Sequence, residues 1–531
     1  MVSFNCLFKK LDSVYREKEL YIILFFSFFV IHGEYVFNKI TFWDDVISCF
    51  GSRFFVNEPL PHGRWLNFII EQFLRMFSGT ESLPVLNGIM GALCITIFSL
   101  IVFFMFKIEN TYYKLAIGLI FLSIPTVAGD LAYGYWGGKD FIGRLICIIA
   151  AYVTCNVIHA QRVKLSLFFF VGSFMFALSL GEYQCNFALY LSLCLLYLMN
   201  YVMYQTLSLK EFIGLVFHYI LNVAIGIILY LLILHLFLHI EGVKLLHYAN
   251  TDTYGIISWQ GYMDRIKLSY ILFFDPYIIP SANMFPFHWH GWYKMLILLN
   301  TILVALFMYF AINKRHKAKL YQFCFLLILM PCALNSNIIL YGGQFLHSLH
   351  VYQQALLFLL PYLIYQAIIS QYENILSNNF FSYPVLSYII IFVTVIFAFL
   401  YIRYDNYCYM LSEFRQTQAI RYYTTLSTRI MSTKGYKHEY PVVFMGEMFK
   451  TNSVDKISEY NDFPVTNPFY LPIINSYVDS SRAFMKYWCG YEPRFLDAKD
   501  FENNSVVKLM PCYPDDGAIK VIDGVVIVKF R

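Results

Sequence analysis

The residues able to carry out chemistry in this chain of 531 residues fall in a few short stretches. In "TFWDDVISC", residues 41–49, Asp44 and Asp45 stand side by side behind Trp43, soon after an apolar run that begins at Tyr21. Adjacent carboxylates repel one another, which can leave one of them a usable general base. The plainer alternative is a pair of solvated or helix-capping aspartates. In "HGRW", Arg64 offers the planar guanidinium suited to a bidentate grip on a phosphate. Alternatively it anchors the chain at a membrane surface beside Trp65.

"GYWGGKDFIGR", residues 134–144, brings Lys139, Asp140 and Arg144 to the head of an apolar segment. Its glycines allow close backbone approach to a ligand, and Arg144 falls one turn into the helix, where an ionisable group faces a cavity. An Asp140–Arg144 pair at i, i+4 that merely stabilises the helix fits the spacing equally well. "SLGEYQCN" sets Glu182, Tyr183 and Gln184 between two apolar runs with almost no loop. A glutamate at that depth is costly without a partner and points to a function. His288 and His290 in "FPFHWHGWY", and His347 and His350 in "GGQFLHSLH", have spacings open to metal ligation but no accompanying acid motif. Interfacial packing or sugar contacts suit their aromatic neighbours better.

The elements that must position these groups belong to a membrane. The chain is 59% hydrophobic, 20% aromatic and only 14% charged, whereas soluble domains carry about 25% charged residues. About eleven apolar segments of roughly 17 to 25 residues recur, each long enough to cross the hydrocarbon layer as a helix. Their expected bounds are 20–38, 83–106, 114–130, 141–159, 165–181, 185–204, 212–239, 293–312, 320–341, 351–370 and 385–402. Connections rich in Lys and Arg lie on one side, taken as the cytoplasm: Lys9, Lys10, Arg16 and Lys18, then Lys107 and Lys114, Arg162 and Lys164, Lys210, and Lys314 to Lys319. The opposite side receives 39–82, 131–140, 240–292, 342–350 and everything after about 403. No cleaved signal peptide is expected, because "HGEYVFNK" and not a small-residue site follows the first apolar run. A net charge of +5 without basic runs interleaved with aromatics excludes nucleic acid as a partner.

Two regions follow: a transmembrane domain over 1–402 with a first outer loop at 39–82, and a small α/β domain over 403–531 outside the membrane. In the outer loop, "EPLPHGRW" has turn chemistry and "LNFIIEQFLRMF" reads as an interfacial helix with Leu66, Ile69, Ile70, Phe73, Leu74 and Phe77 along one face. Beyond 403, "NYCYMLSEFRQTQAIRYYTTLSTRIMS" reads as an amphipathic helix through Met410, Phe414, Ile420 and Leu426. "YPVVFMGE" reads as a strand, and "GAIKVIDGVVIVKF" as a hairpin turning at Asp523-Gly524. Of the twelve cysteines, Cys489 and Cys512 share the outer region and could pair in an oxidising compartment.

"WDD" in the first outer loop, "GRWLNFIIEQF", "LSLGEYQCNFALYL" and "NYCYMLSEFRQTQAIRYYTTL" together resemble the serotype-converting O-antigen glucosyltransferases, the Gtr-type members of the GT-C superfamily in bacteria and their phages. The resemblance implies a polytopic enzyme of the bacterial inner membrane. It would move a glucosyl group from a polyprenyl-phosphate carrier to a lipid-linked O-antigen or similar lipopolysaccharide glycan on the periplasmic face. A flippase and a cytoplasmic enzyme that loads the carrier would act upstream.

The residues fit that chemistry in their own right. A glycosyl phosphate already has a good leaving group, so a general acid is not needed, unlike the two-carboxylate arrangement of a glycosidase. What remains is a base for the acceptor hydroxyl and cations for the departing phosphate. Asp44 or Asp45 suits the first role, and Arg64, Lys139 and Arg144 the second. No organic cofactor is expected, and a divalent metal at the phosphate stays open. Two rivals share the general pattern. A transporter or flippase would line a pathway near the midplane with charge, whereas here the charges cluster at the outer ends of segments. An O-antigen polymerase or ligase also has many spans and large outer loops.

Overall fold

The computed structural model describes residues 17–38, 40, 59–78, 84–133, 137–159, 167–246, 257–275, 290–313, 317–341, 348–376, 383–446 and 478–530. Asp44, Asp45, His288 and His347 lie outside the described residues, as do most of the basic residues of the first connection.

The apolar segments fold as helices. They are α1 (Lys18–Phe37), α2 (Trp65–Ser78), α3 (Pro84–Phe106), α4 (Thr111–Ser123), α5 (Pro125–Ala132), α6 (Gly137–His159), α7 (Leu167–Glu182), α8 (Asn186–Tyr204), α9 (Leu209–Glu241), α10 (Trp259–Phe274), α11 (His290–Asn313), α12 (Lys317–Leu334), α13 (Ser336–Tyr341), α14 (Leu359–Leu376) and α15 (Tyr383–Met431). Nine helices among the described residues are long and apolar enough to cross a membrane; 167–182 and 319–334 are shorter apolar helices. This is a polytopic helical membrane protein. Local chemistry sets the ends. Ser208 and Glu211 form a reciprocal capping box at the start of α9, and Gly242 closes that helix in the left-handed region at φ 65°. Asn110 caps α4, while Pro125 begins α5 after a break at Ile124.

Contacts between helix ends sort the bundle into two poles. At one, Lys114 at the head of α4 pairs with Glu17 at 2.6 Å, and Lys319 caps the last carbonyls of α8, bonding Met203 and Tyr204 at 3.3 Å each. The other pole gathers the starts of α2, α6 and α8 and the ends of α5 and α7. Between them lies an apolar, aromatic-rich interior in which Phe28, Phe98, Phe121 and Tyr190 are fully buried.

α15 runs without a break through 402 and 403 for 49 residues, about 74 Å at 1.5 Å per residue. That is more than twice the thickness of the hydrocarbon layer, about 30 Å, so the helix carries the chain well beyond it. Its far end presents Ala419, Tyr423, Leu426 and Ile430 to a three-stranded sheet and to a helix, α16 (Val478–Cys489). Phe414, expected on that apolar face, is exposed instead, because the buried stripe follows i, i+4, i+7 and i+11 from Ala419. The strands are β1 (Val442–Met445), β2 (Ile519–Ile522) and β3 (Val525–Lys529), in the order β1-β3-β2. β1 and β3 are parallel and β2 and β3 antiparallel. The hairpin turns at Asp523 (φ 49°) and Gly524 (φ 77°), the positive angles a two-residue turn demands. Cys489 and Cys512 are both free thiols.

Candidate functional site

α6 enters the bundle with three ionisable groups in its first two turns, all buried: Lys139, Asp140 and Arg144. Arg144 does not use Asp140, four residues back, as its bidentate partner. Its guanidinium donates through Nη1 and Nη2 to the two carboxylate oxygens of Asp130 on α5, the second contact at 3.0 Å. The i, i+4 pair that the spacing fitted equally well thus gives way to a bridge between helices. The Tyr352 ring covers the same guanidinium at 4.6 Å. Asp140 lies near both Asp130 and Glu182, so three buried carboxyls meet around one arginine.

α2 closes the cluster from one side. Trp65, Asn67 and Glu71 face inward, while Ile69, Phe73 and Met76 are exposed. The inward stripe is therefore partly polar: Glu71 takes Lys139 at 3.2 Å and Arg75 at 2.7 Å. Asn67 donates to Glu182 at 3.1 Å. Trp65 stacks on Phe237 of α9 with ring centroids 6.0 Å apart.

Glu182 ends α7 and is fully buried. It has the partners its depth requires: Asn67 and, at 3.5 Å, Asn186. Its carboxylate lies so close to Gly143 that a Cβ there would overlap Oε2, which explains a glycine in the second turn of α6. Tyr183 hydrogen-bonds His350 Nε2 at 2.9 Å, and Arg64 lies 4.4 Å over its ring. Gln184 donates to the His62 carbonyl at 2.8 Å and to the Tyr230 hydroxyl at 3.1 Å. Tyr230 in turn donates to the Gly63 carbonyl at 2.9 Å. Gly63 has φ 79°, and a Cβ on it would sit 2.6 Å from the Gln184 amide, so this turn admits no side chain. Burial, with the Arg64 charge nearby, pushes the His62 imidazole down to about 4.

Arg64, Lys139, Asp140, Arg144, Glu182, Tyr183 and Gln184 are thus brought to one pole of the bundle. Lys139 and Arg144 each have a carboxylate partner already, and Arg64 rests on an aromatic face. Glu71, Asn67, Asp130, Asn186 and Tyr352 join the cluster without having been singled out by sequence. Asp130 was the most legible of them: it is an isolated acid after the fifteen uncharged, mostly apolar residues 115–129, where an ionisable group is costly. Among the described residues, no group of three or more His, Cys, Asp or Glu is arranged to hold a metal ion.

No curated protein and no solved structure matches the chain. The family model described as Glucosyl transferase GtrII matches residues 33–362, more than half of the chain and all of the helices that build the polar cluster. By that match the chain belongs to the GtrII glucosyl transferase family.

Proposed function

We propose that the protein transfers a glucosyl group from a polyprenyl-phosphate carrier to O-antigen or a similar lipid-linked glycan, on the periplasmic face of the bacterial inner membrane. The reading is supported by one observation above others: cations and carboxyls from α2, α5, α6 and α7 converge at a single pole of a membrane bundle. Arg64, at the edge of the cluster, is the group proposed to meet the phosphate, with Lys139 and Arg144 held behind it by Glu71 and Asp130. In the transfer, the acceptor hydroxyl oxygen bonds to the anomeric carbon from the face opposite the phosphate, with inversion. The bond from that carbon to the phosphate oxygen breaks, polyprenyl phosphate leaves with the electron pair, and Asp44 or Asp45 takes the hydroxyl proton.

A groove of about 460 Å³ supports a lipid-borne donor. It lies between α8, α9 and α12, is lined almost wholly by apolar side chains such as Leu191, Leu195, Ile220 and Leu329, and reaches Ser336 and Leu340 of α13. Leu340 packs against the small cluster of Tyr183 and Cys185, and the Tyr183 ring lies beneath Arg64. An isoprenoid tail in this groove would bring its phosphate to that arginine.

The test compares cell-surface glycan by mass with and without the protein, and with Asp44→Asn and Asp45→Asn singly. One added hexose per repeat, lost in at least one of the two variants, is the expected result. A change in chain length without an added hexose would make the protein a polymerase or ligase. Full glucosylation by both variants would remove the doublet from catalysis.

A further inference from the structure

A second pocket, of about 570 Å³, opens at the opposite pole. Its wall includes His159 at the end of α6, fifteen residues beyond Arg144 and therefore about 22 Å along the helix. The last turns of α3 and α8 and the middle of α14 complete it. The volume falls in the range of small-molecule sites, about 300 to 1,000 Å³.

Its chemistry differs from that of the first site. Tyr197, Tyr201 and Tyr204 repeat at i, i+4 and i+7 on one face of α8 and turn toward the hollow. The His159 ring packs 4.0 Å from Tyr201 and 5.1 Å from Tyr197, and its Nε2 is bonded to the Tyr219 hydroxyl at 2.9 Å. Tyrosines of an ordinary aromatic belt face the lipid head groups; these three are half-buried around a concavity. The amides of Asn156, Asn200, Gln205 and Gln366 share the lining. Its two charged residues, Lys107 and Glu109, cancel, and the neighbouring Lys319 is engaged by Met203, Tyr204 and Gln371. At the rim, Lys107 holds a left-handed backbone at φ 53°, with its carbonyl accepting from Gln366 Nε2 at 3.2 Å. That conformation closes α3 in the usual way, Ile108 N–H bonding the Phe103 carbonyl at 3.0 Å and Lys107 N–H the Phe104 carbonyl at 3.4 Å.

Flat aromatic faces, side-chain amides that both donate and accept, and no net charge select a neutral polyol over a phosphate. We infer that this pole carries a second binding pocket for a neutral pyranose. The lysines gathered at the same pole, Lys107, Lys114 and Lys319, place it toward the cytoplasm by the positive-inside rule. The sugar is either free or the head group of a glycolipid in the adjoining leaflet. The inference stands apart from the transferase reading, since it uses none of the residues of the first site.

The test uses the full-length protein in nanodiscs and two photoreactive probes, a methyl glucoside carrying a diazirine and a glucosyl dialkylglycerol carrying the same group on its sugar. Labelled peptides are mapped by mass spectrometry. Labelling within 105–109, 156–159 or 197–205, competed by excess methyl glucoside and reduced at least ten-fold by Asn200→Leu and by Gln366→Leu, is expected. Labelling by both probes assigns a free sugar, and by the lipid probe alone a head group. Two variants on different helices, each checked for an unchanged unfolding midpoint, separate lost contact from lost fold. Absence of label in these peptides with both probes, or label that persists in both variants, overturns the inference whatever happens at the outer pole.

Discussion

Arg144 and Asp130 show what a single pair of residues decides. Two charges buried together are tolerable because each is the other's counter-ion; removing one leaves the other stranded in a low-dielectric interior. Arg144→Ala should destabilise the protein by about 3 to 5 kcal/mol, read as a lower unfolding midpoint in detergent. The double variant Arg144→Ala with Asp130→Ala should lose less than Arg144→Ala alone. His62 gives a pH-dependent counterpart. Its folded-state value, about 4, lies below the roughly 6.5 of an unfolded chain. Its contribution to stability is therefore complete above about pH 6.5 and is lost as the pH falls toward 4. The protection of the Leu60, His62, Gly63 and Arg64 amides, taken relative to each amide's intrinsic exchange rate at the same pH, should fall on acidification from pH 7.5 to 4.5 in the native protein, and less in His62→Gln. At this scale the sequence was legible for type but not for partner. Arg144 and Lys139 stood out as cations in an apolar setting, yet their partners, Asp130 and Glu71, lie 14 and 68 residues away, and no local spacing rule reaches that far.

At the scale of elements, α2 and α6 meet through features that only their packing exposes. A helix over 66–77 was legible from its apolar repeat; of the face expected there, Ile69 and Phe73 are exposed, while Leu66, Ile70 and Leu74 are partly buried. Its inward stripe of Trp65, Asn67 and Glu71 was not, because polar residues on an amphipathic helix are expected to face solvent. Gly143 depends on the same packing. A methyl group there displaces the Glu182 carboxylate and with it the contact to Asn67. Gly143→Ala should keep the helix, since alanine is the better helix former, but lower glucosyl transfer roughly 100-fold, the effect of misplacing a site group by about an ångström. Activity per folded protein, normalised to the recovered monodisperse fraction, checks this.

Across the whole molecule, the two poles carry different chemistry: buried charges and carboxyls at one, neutral amides and tyrosines at the other. Their assignment to opposite membrane faces predicts that a cysteine placed at Ser208 is labelled by an impermeant maleimide only from the cytoplasmic side. One placed at Ser432, at the far end of α15, should be labelled only from the other side. Labelling of both from one side would overturn the assignment. The sequence by itself determined that the chain is a polytopic helical bundle, because hydropathy and helix length answer to the thickness of the bilayer, a constraint each segment meets alone. It also determined the hairpin at Asp523-Gly524, whose backbone angles are a local property. Tertiary structure alone decided which charges neutralise which, that Glu182 is satisfied by Asn67 and Asn186, and that a second pocket forms where three helix ends meet the middle of a fourth helix. Those outcomes depend on how helices distant in sequence rotate and tilt against one another, and that is set by the summed packing of the whole interior and not by any one segment.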